Sequence, residues 1–198
     1  MIDILYEDRN IVVCIKPVGM DSEHQMPQEL GDCIYTVHRL DKGVGGVMVY
    51  AKNQAAAADL SRQIQAGTMI KEYVAMVEGS PPDNGDWEDL LFKDSRKNKV
   101  YVVDRKRAGV KAARLTYQRL TAGERSLVRV RLHTGRSHQI RVQFSSRGFP
   151  LVGDHKYGSR GPEKEIMLFS CYLRFAIGGK NLEFSSFPHW SENFVKKP

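Results

Sequence analysis

The sequence predicts an α+β fold. Apolar runs of strand length dominate the chain. Helical signals appear in only two places, near residues 53–67 and 137–148. Strands and helices do not alternate regularly, which argues against a doubly wound parallel sheet.

The opening reads as two short strands, ILYE and NIVVCIKP, with Asp8-Arg9-Asn10 as the turn between them. Residues 19–34 are polar and loop-like. GGVMVYA at 45–51 is a buried strand. Asn53 then caps a helix running to about Ala66, with Gly67 at its end. Ala56, Leu60 and Ile64 recur at spacing four and give that helix one apolar face. MIKEYVAMVEG reads as a strand with Tyr73, Ala75 and Val77 on one face, and PPDNGD at 81–86 as a loop. Residues 93–111 hold eight Lys or Arg against two Asp, a run that reads as a solvated face or hairpin. AARLTYQRL and SLVRVRLH are strands. SHQIRVQFSSRG is a helix with Ser137 near its start and Gly148 at its stop. The last third reads as short strands and turns before a polar tail.

The chain has 198 residues, 41% of them hydrophobic and 27% charged, which fits one domain over residues 1–198 with a sizeable core. The net charge of +7 favours a polyanionic partner. Cys14, Cys33 and Cys171 are odd in number and far apart, so a disulfide framework is not expected. The N-terminus is acidic and lacks the apolar run of a signal peptide, and no stretch approaches the roughly 20 apolar residues that span a membrane. A cytoplasmic protein is expected.

Few stretches carry chemistry on their own. GVGG at 43–46 precedes a strand, whereas a phosphate loop leads into a helix and usually ends in GK[ST]. These glycines suit a tight turn and close backbone approach. His133 and His138 lack further ligands at metal-site spacing. No nucleophile elbow is present. Asp41, after Arg39-Leu40, is either half of a surface ion pair or a catalytic acid.

Four stretches in order decide how to weigh Asp41. They are HRLD at 38–41, K-x-Y-x-A-x-V-x-G at 71–79, TGRSHQIR at 134–141 and PLVGDHKYG at 150–158. Together they resemble the signature stretches of the RluA family of RNA pseudouridine synthases. ILYEDRNIVVCIKPVGM also resembles that family's entry strands and Lys-Pro turn, so the resemblance runs from about residue 4 to residue 190. It implies a mainly antiparallel bent sheet with flanking helices and loops and a central basic cleft. It implies isomerisation of uridine in structured RNA, ribosomal or transfer RNA, to pseudouridine, with no metal, redox cofactor or nucleotide cofactor.

The resemblance also assigns residues. Asp41 matches the essential aspartate, and Arg39 an arginine that can enter the RNA helix as the target base leaves. Tyr73 matches the tyrosine that packs on the base, and Arg141 the arginine that pairs with the aspartate. Uridine in folded RNA is stacked, so chemistry at C1′ requires extrusion of the nucleotide. A guanidinium such as that of Arg39 can stack in the vacated space. A cation near Asp41 opposes the effect of burial and keeps its carboxylate charged, as a nucleophile or as a base. Arg136 and His138 contact phosphate or hold their loop. Lys97, Lys99 and Lys156 are candidate phosphate contacts, and Tyr157 is a further candidate RNA contact. A monomer is the default expectation.

There are departures. Val44-Gly45-Gly46 stands where the family commonly has Thr-Ser-Gly, and Phe169-Ser170-Cys171 where it often has Leu-His-Ala. The first change supports a rival reading, a non-catalytic RNA-binding protein or RNA chaperone on the same fold. A nucleoside hydrolase would want a second carboxylate, and none is evident. The sequence also leaves no room for an N-terminal RNA-binding module ahead of the catalytic domain.

Overall fold

The computed structural model describes residues 2–191. The chain forms two compact units. The first holds the residues up to Glu72 together with Phe169–Pro188, and the second holds Tyr73–Leu168 with the described residues after Pro188.

In the first unit, β1 (Asp3–Glu7) runs antiparallel to β2 (Ile11–Lys16), and β2 antiparallel to β4 (Gly45–Ala51). The expected turn forms because Asp8 Oδ1 accepts from the backbone N–H groups of Asn10 (2.7 Å) and Ile11 (2.8 Å), a carboxylate standing in for a turn carbonyl. All seven residues of β4 are buried, as the unbroken apolar run predicts. The two-residue β3 (Tyr35–Thr36) also pairs with β4. Where the sequence reads as loop over 19–34, a short helix α1 (Gln25–Leu30) forms, seated by the fully buried Met26. A single apolar anchor in a polar stretch leaves no helical period to read.

Helix α2 (Gln54–Ala66) matches its expected bounds. Asn53 Oδ1 accepts from Ala56 N–H at 2.9 Å, and Gly67 closes the helix in the left-handed region. Ala56 and Leu60 bury against Val13, Val47 and Val49 in the main core of this unit, with Ile64 packed beside them. Gln63 clips the helix to β10 (Leu168–Ile177): its Nε2 donates to Ala176 O (2.6 Å) and its Oε1 accepts from Ala176 N–H (2.8 Å). β10 and β11 (Lys180–Ser185) form a full antiparallel hairpin, longer than the short strands expected near the C-terminus.

β10 also meets β4 in parallel, with Phe169 opposite Gly45 and Ser170 opposite Gly46. Gly46 has φ +128°, and a Cβ there would lie 2.4 Å from Ser170 O. Glycine is therefore required at this crossing for both conformation and space.

The chain enters the second unit within β5 (Ile70–Glu78). Tyr73, Val74, Ala75 and Val77 are all buried, so both faces of β5 are covered instead of the one that strict alternation implies. The strand order there is β5, β9 (Arg125–Leu132), β8 (Val110–Arg119), β6 (Asn84–Asp94), β7 (Lys99–Val103). β6 starts inside the expected PPDNGD loop, because Asn84–Asp86 pair with Gln118–Thr116 of β8. The basic run of 93–111 is a hairpin tip, strand β7 and a loop. Helix α3 (Gln139–Ser145) is buried from Gln139 to Phe144, and its Phe144 ring packs edge-on against Trp87 (4.7 Å) and Tyr117 (5.1 Å).

Two glycines separate conformational strain from steric overlap. Gly148 has φ +84° with open space around its Cβ position, so Gly148→Ala should cost only about 1–2 kcal/mol. Gly46→Ala should cost upward of about 3 kcal/mol, because overlap with the Ser170 backbone adds to the strain. Urea unfolding of both variants measures this, and equal losses would show that the β4–β10 crossing tolerates a side chain.

Candidate functional site

The predicted site residues divide between the units. Arg39 and Asp41 lie in the first. Tyr73, Lys97, Lys99, Arg136, His138, Arg141 and Lys156 lie in the second.

Asp41 is half-buried in the loop between β3 and β4, and its carbonyl accepts from Val44 N–H at 2.9 Å to form the turn into β4. The backbone on either side of it is tied down. On one side, the buried Ser22 hydroxyl donates to Leu40 O (2.8 Å) and accepts from Leu40 N–H (3.1 Å), while Tyr50 Oη donates to Ser22 O (3.0 Å). On the other, Lys42 O accepts from Gly19 N–H (2.8 Å) and, more distantly, from Lys16 Nζ (3.4 Å). Lys16 is fully buried and also donates to Pro17 O and Met20 O, each at 2.8 Å. Burial pulls its ammonium down to about 8, against the opposing charges of Asp21 and Asp41. The loop read from sequence as plain connection thus supplies Met20, Ser22 and Gly19 to the clamp.

His38 of the same loop accepts from Val49 N–H through Nε2 at 3.2 Å, which requires that nitrogen to be unprotonated. Burial, with a smaller contribution from the Lys71 charge, pulls this imidazole down to about 3. Arg39 is exposed, and its Nη1 reaches Glu23 Oε2 at 2.9 Å across a solvent-facing pair.

In the second unit, Tyr73 is 6% exposed at the point where β5 enters that unit. Arg141 projects from α3 onto Asp154, with Nε to Oδ2 at 2.6 Å and Nη2 to Oδ1 at 2.9 Å. The two side chains are 8% and 1% exposed, so this is a buried, two-point ion pair. Asp154 lies within the PLVGDHKYG stretch at 150–158. The signal that could have found it was a carboxylate inside PLVGDHKYG with no other reason to be buried. Its segment is held against β5: Glu78 N–H donates to Pro150 O and Val152 N–H to Met76 O, both at 2.9 Å.

Tyr157, expected at the RNA surface, is instead buried, and it gathers three of the predicted residues. The Arg141 guanidinium carbon lies 5.0 Å and Lys99 Nζ 5.4 Å from its ring centroid. Its hydroxyl accepts from Val100 N–H (2.8 Å) and is hydrogen-bonded to His138 Nδ1 (2.8 Å). His138 has φ +51° and begins α3, so it holds the loop. Arg136 is tethered too: its Nε donates to Ala112 O (2.8 Å) and its N–H to Gln139 Oε1 (3.0 Å). Gln139, not singled out from the sequence, also takes the Thr134 hydroxyl (2.8 Å) and donates to Arg114 O (3.1 Å), which fixes the TGR turn. Lys97 and Lys156 are exposed.

Comparison with known proteins agrees with these stretches. Residues 10–146 match the family described as RNA pseudouridylate synthase. An uncharacterized RNA pseudouridine synthase of Chloroflexus aurantiacus is 42% identical over 129 residues, 63% of this chain and 39% of that protein. The ribosomal large subunit pseudouridine synthase D of Pseudomonas aeruginosa is 36% identical over 80% of this chain and 54% of its own length. The chain thus spans about half the length of these curated relatives. Among solved structures, human RNA pseudouridylate synthase domain containing 1 aligns with a TM-score of 0.83 at 23% identity, over 95% of this chain and 84% of that one. That likeness establishes the fold.

Two outcomes follow from this geometry. Removing Asp154 takes a two-point partner from a buried guanidinium, so Asp154→Ala should cost about 3–5 kcal/mol in urea unfolding, and Asp154→Ala with Arg141→Met should recover much of it. An unaltered midpoint in the single variant would mean that Arg141 is not held by this pair. His38 concerns pH. The unfolded imidazole takes up a proton near 6.5 that the folded one refuses until about 3. Stability is therefore full above 6.5 and is lost as pH falls towards 3. His38→Gln should flatten that decline in unfolding titrations, and an unchanged slope would assign it to other groups.

Proposed function

The chain belongs to the family of RNA pseudouridylate synthases, and we propose that it isomerises uridine in RNA to pseudouridine. The observation that carries this reading is the family match over 10–146, which contains Asp41, Tyr73 and Arg141 together. The N1–C1′ bond breaks, the uracil turns over while held, C5 bonds to C1′, and the hydrogen on C5 leaves as N1 gains a proton. Asp41 acts on the sugar as nucleophile or base. Tyr73 packs on the uracil, so re-bonding is effectively unimolecular. Arg141 supplies a cation whose plane is fixed by Asp154. Arg39 is exposed, and its pair with Glu23 is solvent-screened, so its guanidinium can leave Glu23 at little cost and stack where a flipped base has left.

Ribosomal RNA is the first candidate substrate, from the names of the relatives in Pseudomonas aeruginosa and Borreliella burgdorferi. Transfer RNA is the second. A cytoplasmic, monomeric enzyme goes with this reading. Among the described residues no helix is long and apolar enough to cross a membrane.

The rival, a non-catalytic RNA binder, rests on Val44-Gly45-Gly46. Packing accounts for much of that step. A Cβ at Gly45 would lie 3.2 Å from Lys16 O, and Ser170 Oγ donates to Val47 O at 3.1 Å, so a hydroxyl reaches β4 from the facing strand.

Tritium release from RNA labelled at C5 of uracil tests the reaction, because the new bond expels that hydrogen. Wild type should release tritium, and Asp41→Asn should lose at least about a thousandfold in rate with RNA affinity kept. Binding without release by the wild type would favour the rival. Arg39→Ala should slow turnover on structured RNA more than on an unstructured loop, and equal losses would remove Arg39 from base flipping.

A further inference from the structure

One end of the second unit's sheet interleaves aromatic and basic side chains that the reaction above does not use. Phe92 of β6 and Tyr101 of β7 are directly opposed across the strand pair, and so share one face of it. Both are partly exposed. Lys99, two residues before Tyr101 and therefore on its face, places Nζ 5.8 Å from the Tyr101 ring. The Arg107 guanidinium covers Phe92 at 4.7 Å. Exposed Arg96 and Lys97 at the hairpin tip and Arg105 and Lys106 in the next loop complete the set.

This charge is unmet. Arg114, Arg119 and Arg125 of the same unit have carboxylate partners in Asp86, Asp83 and Glu163. Among the described residues, Arg96, Lys97, Arg105, Lys106 and Arg107 have none. Of the two carboxylates in this run, Asp94 is occupied by the backbone N–H groups of Arg96 (3.0 Å) and Lys97 (3.1 Å), and Asp104 forms no ion pair among the described residues.

We propose that this end of β6 and β7 is a stacking platform for an unpaired RNA base, separate from the nucleotide that reacts. The choice of RNA rests on the function proposed above. Tyr101 offers the ring, the outer plane of Arg107 a second stacking surface, and the surrounding cations hold the phosphates on either side. An aromatic plane framed by cations suits single-stranded RNA, whose bases are free to splay out, better than duplex, which offers only its backbone here. The platform also adjoins Arg141. Lys99 lies between the Tyr101 and Tyr157 rings, and the Tyr157 ring carries Arg141. A base held on Tyr101 would thus anchor the strand beside the reacting residue and favour target uridines with an unpaired neighbour.

Fluorescence anisotropy with two labelled seven-nucleotide strands tests this, one heptauridylate and one abasic throughout with the same phosphates. Wild type should bind heptauridylate about tenfold more tightly than the abasic strand. Tyr101→Ala should erase that difference and Tyr101→Trp keep it, with circular dichroism confirming both folds. Arg105→Ala with Lys106→Ala should weaken both strands alike and flatten the salt dependence. Equal binding of the two strands by wild type, no binding of either, or a base preference that survives Tyr101→Ala would each overturn the proposal. Because the readout is binding without turnover, its failure leaves the isomerisation standing, and absence of tritium release leaves the platform standing.

Discussion

The close parallel approach of β4 to β10 at Gly46 is the constraint on which the first unit depends. β4 is paired with β2, β3 and β10, and the turn that begins at Asp41 delivers the chain into it. A side chain at Gly46 would push against the Ser170 backbone and shift the start of β4, where Lys16, Gly45 and Lys42 also meet. The glycines after HRLD therefore do mechanical work. They let two strands touch at the point from which a charged loop must be aimed.

The two units hold their charged residues by different physics. Asp41 is positioned through its neighbours' backbone, with Leu40 and Lys42 each caught by buried donors. The cost is a buried lysine whose desolvation is offset by three carbonyls and two carboxylates. Arg141 is positioned through its own guanidinium, by a carboxylate that is itself buried. A two-point pair fixes the plane of a guanidinium and leaves its remaining N–H groups for other acceptors.

What could be read from the sequence was local. The Asn53-to-Gly67 helix, the buried GGVMVYA strand and the Asp8 turn each follow from side chains within a few residues of one another. The four signature stretches marked Asp41, Tyr73 and Arg141 through resemblance. What escaped was set by contacts distant in sequence: Ser22 on Leu40, Asp154 under Arg141, Tyr157 drawing in Lys99 and His138, and β8 capturing Asn84 from a run of loop-forming residues. Polar residues buried for a partner elsewhere have no periodicity of their own, so composition and spacing pass over them.

The order in which the chain is made has a consequence for the first unit. Gly46 is synthesised well before its partner Ser170 in β10, and the whole of Tyr73–Leu168 lies between. On the ribosome the second unit's strands are therefore all available before β10 emerges to complete the first. Until then β4 has one unsatisfied edge, Gln63 lacks the strand it clips, and the buried face of α2 lacks Leu173 and Phe175. The nascent first unit must wait with an open, apolar edge, a state in which long-range pairing is slow and association with other chains competes. The segment that carries Asp41 is thus made well before the strand that completes its sheet.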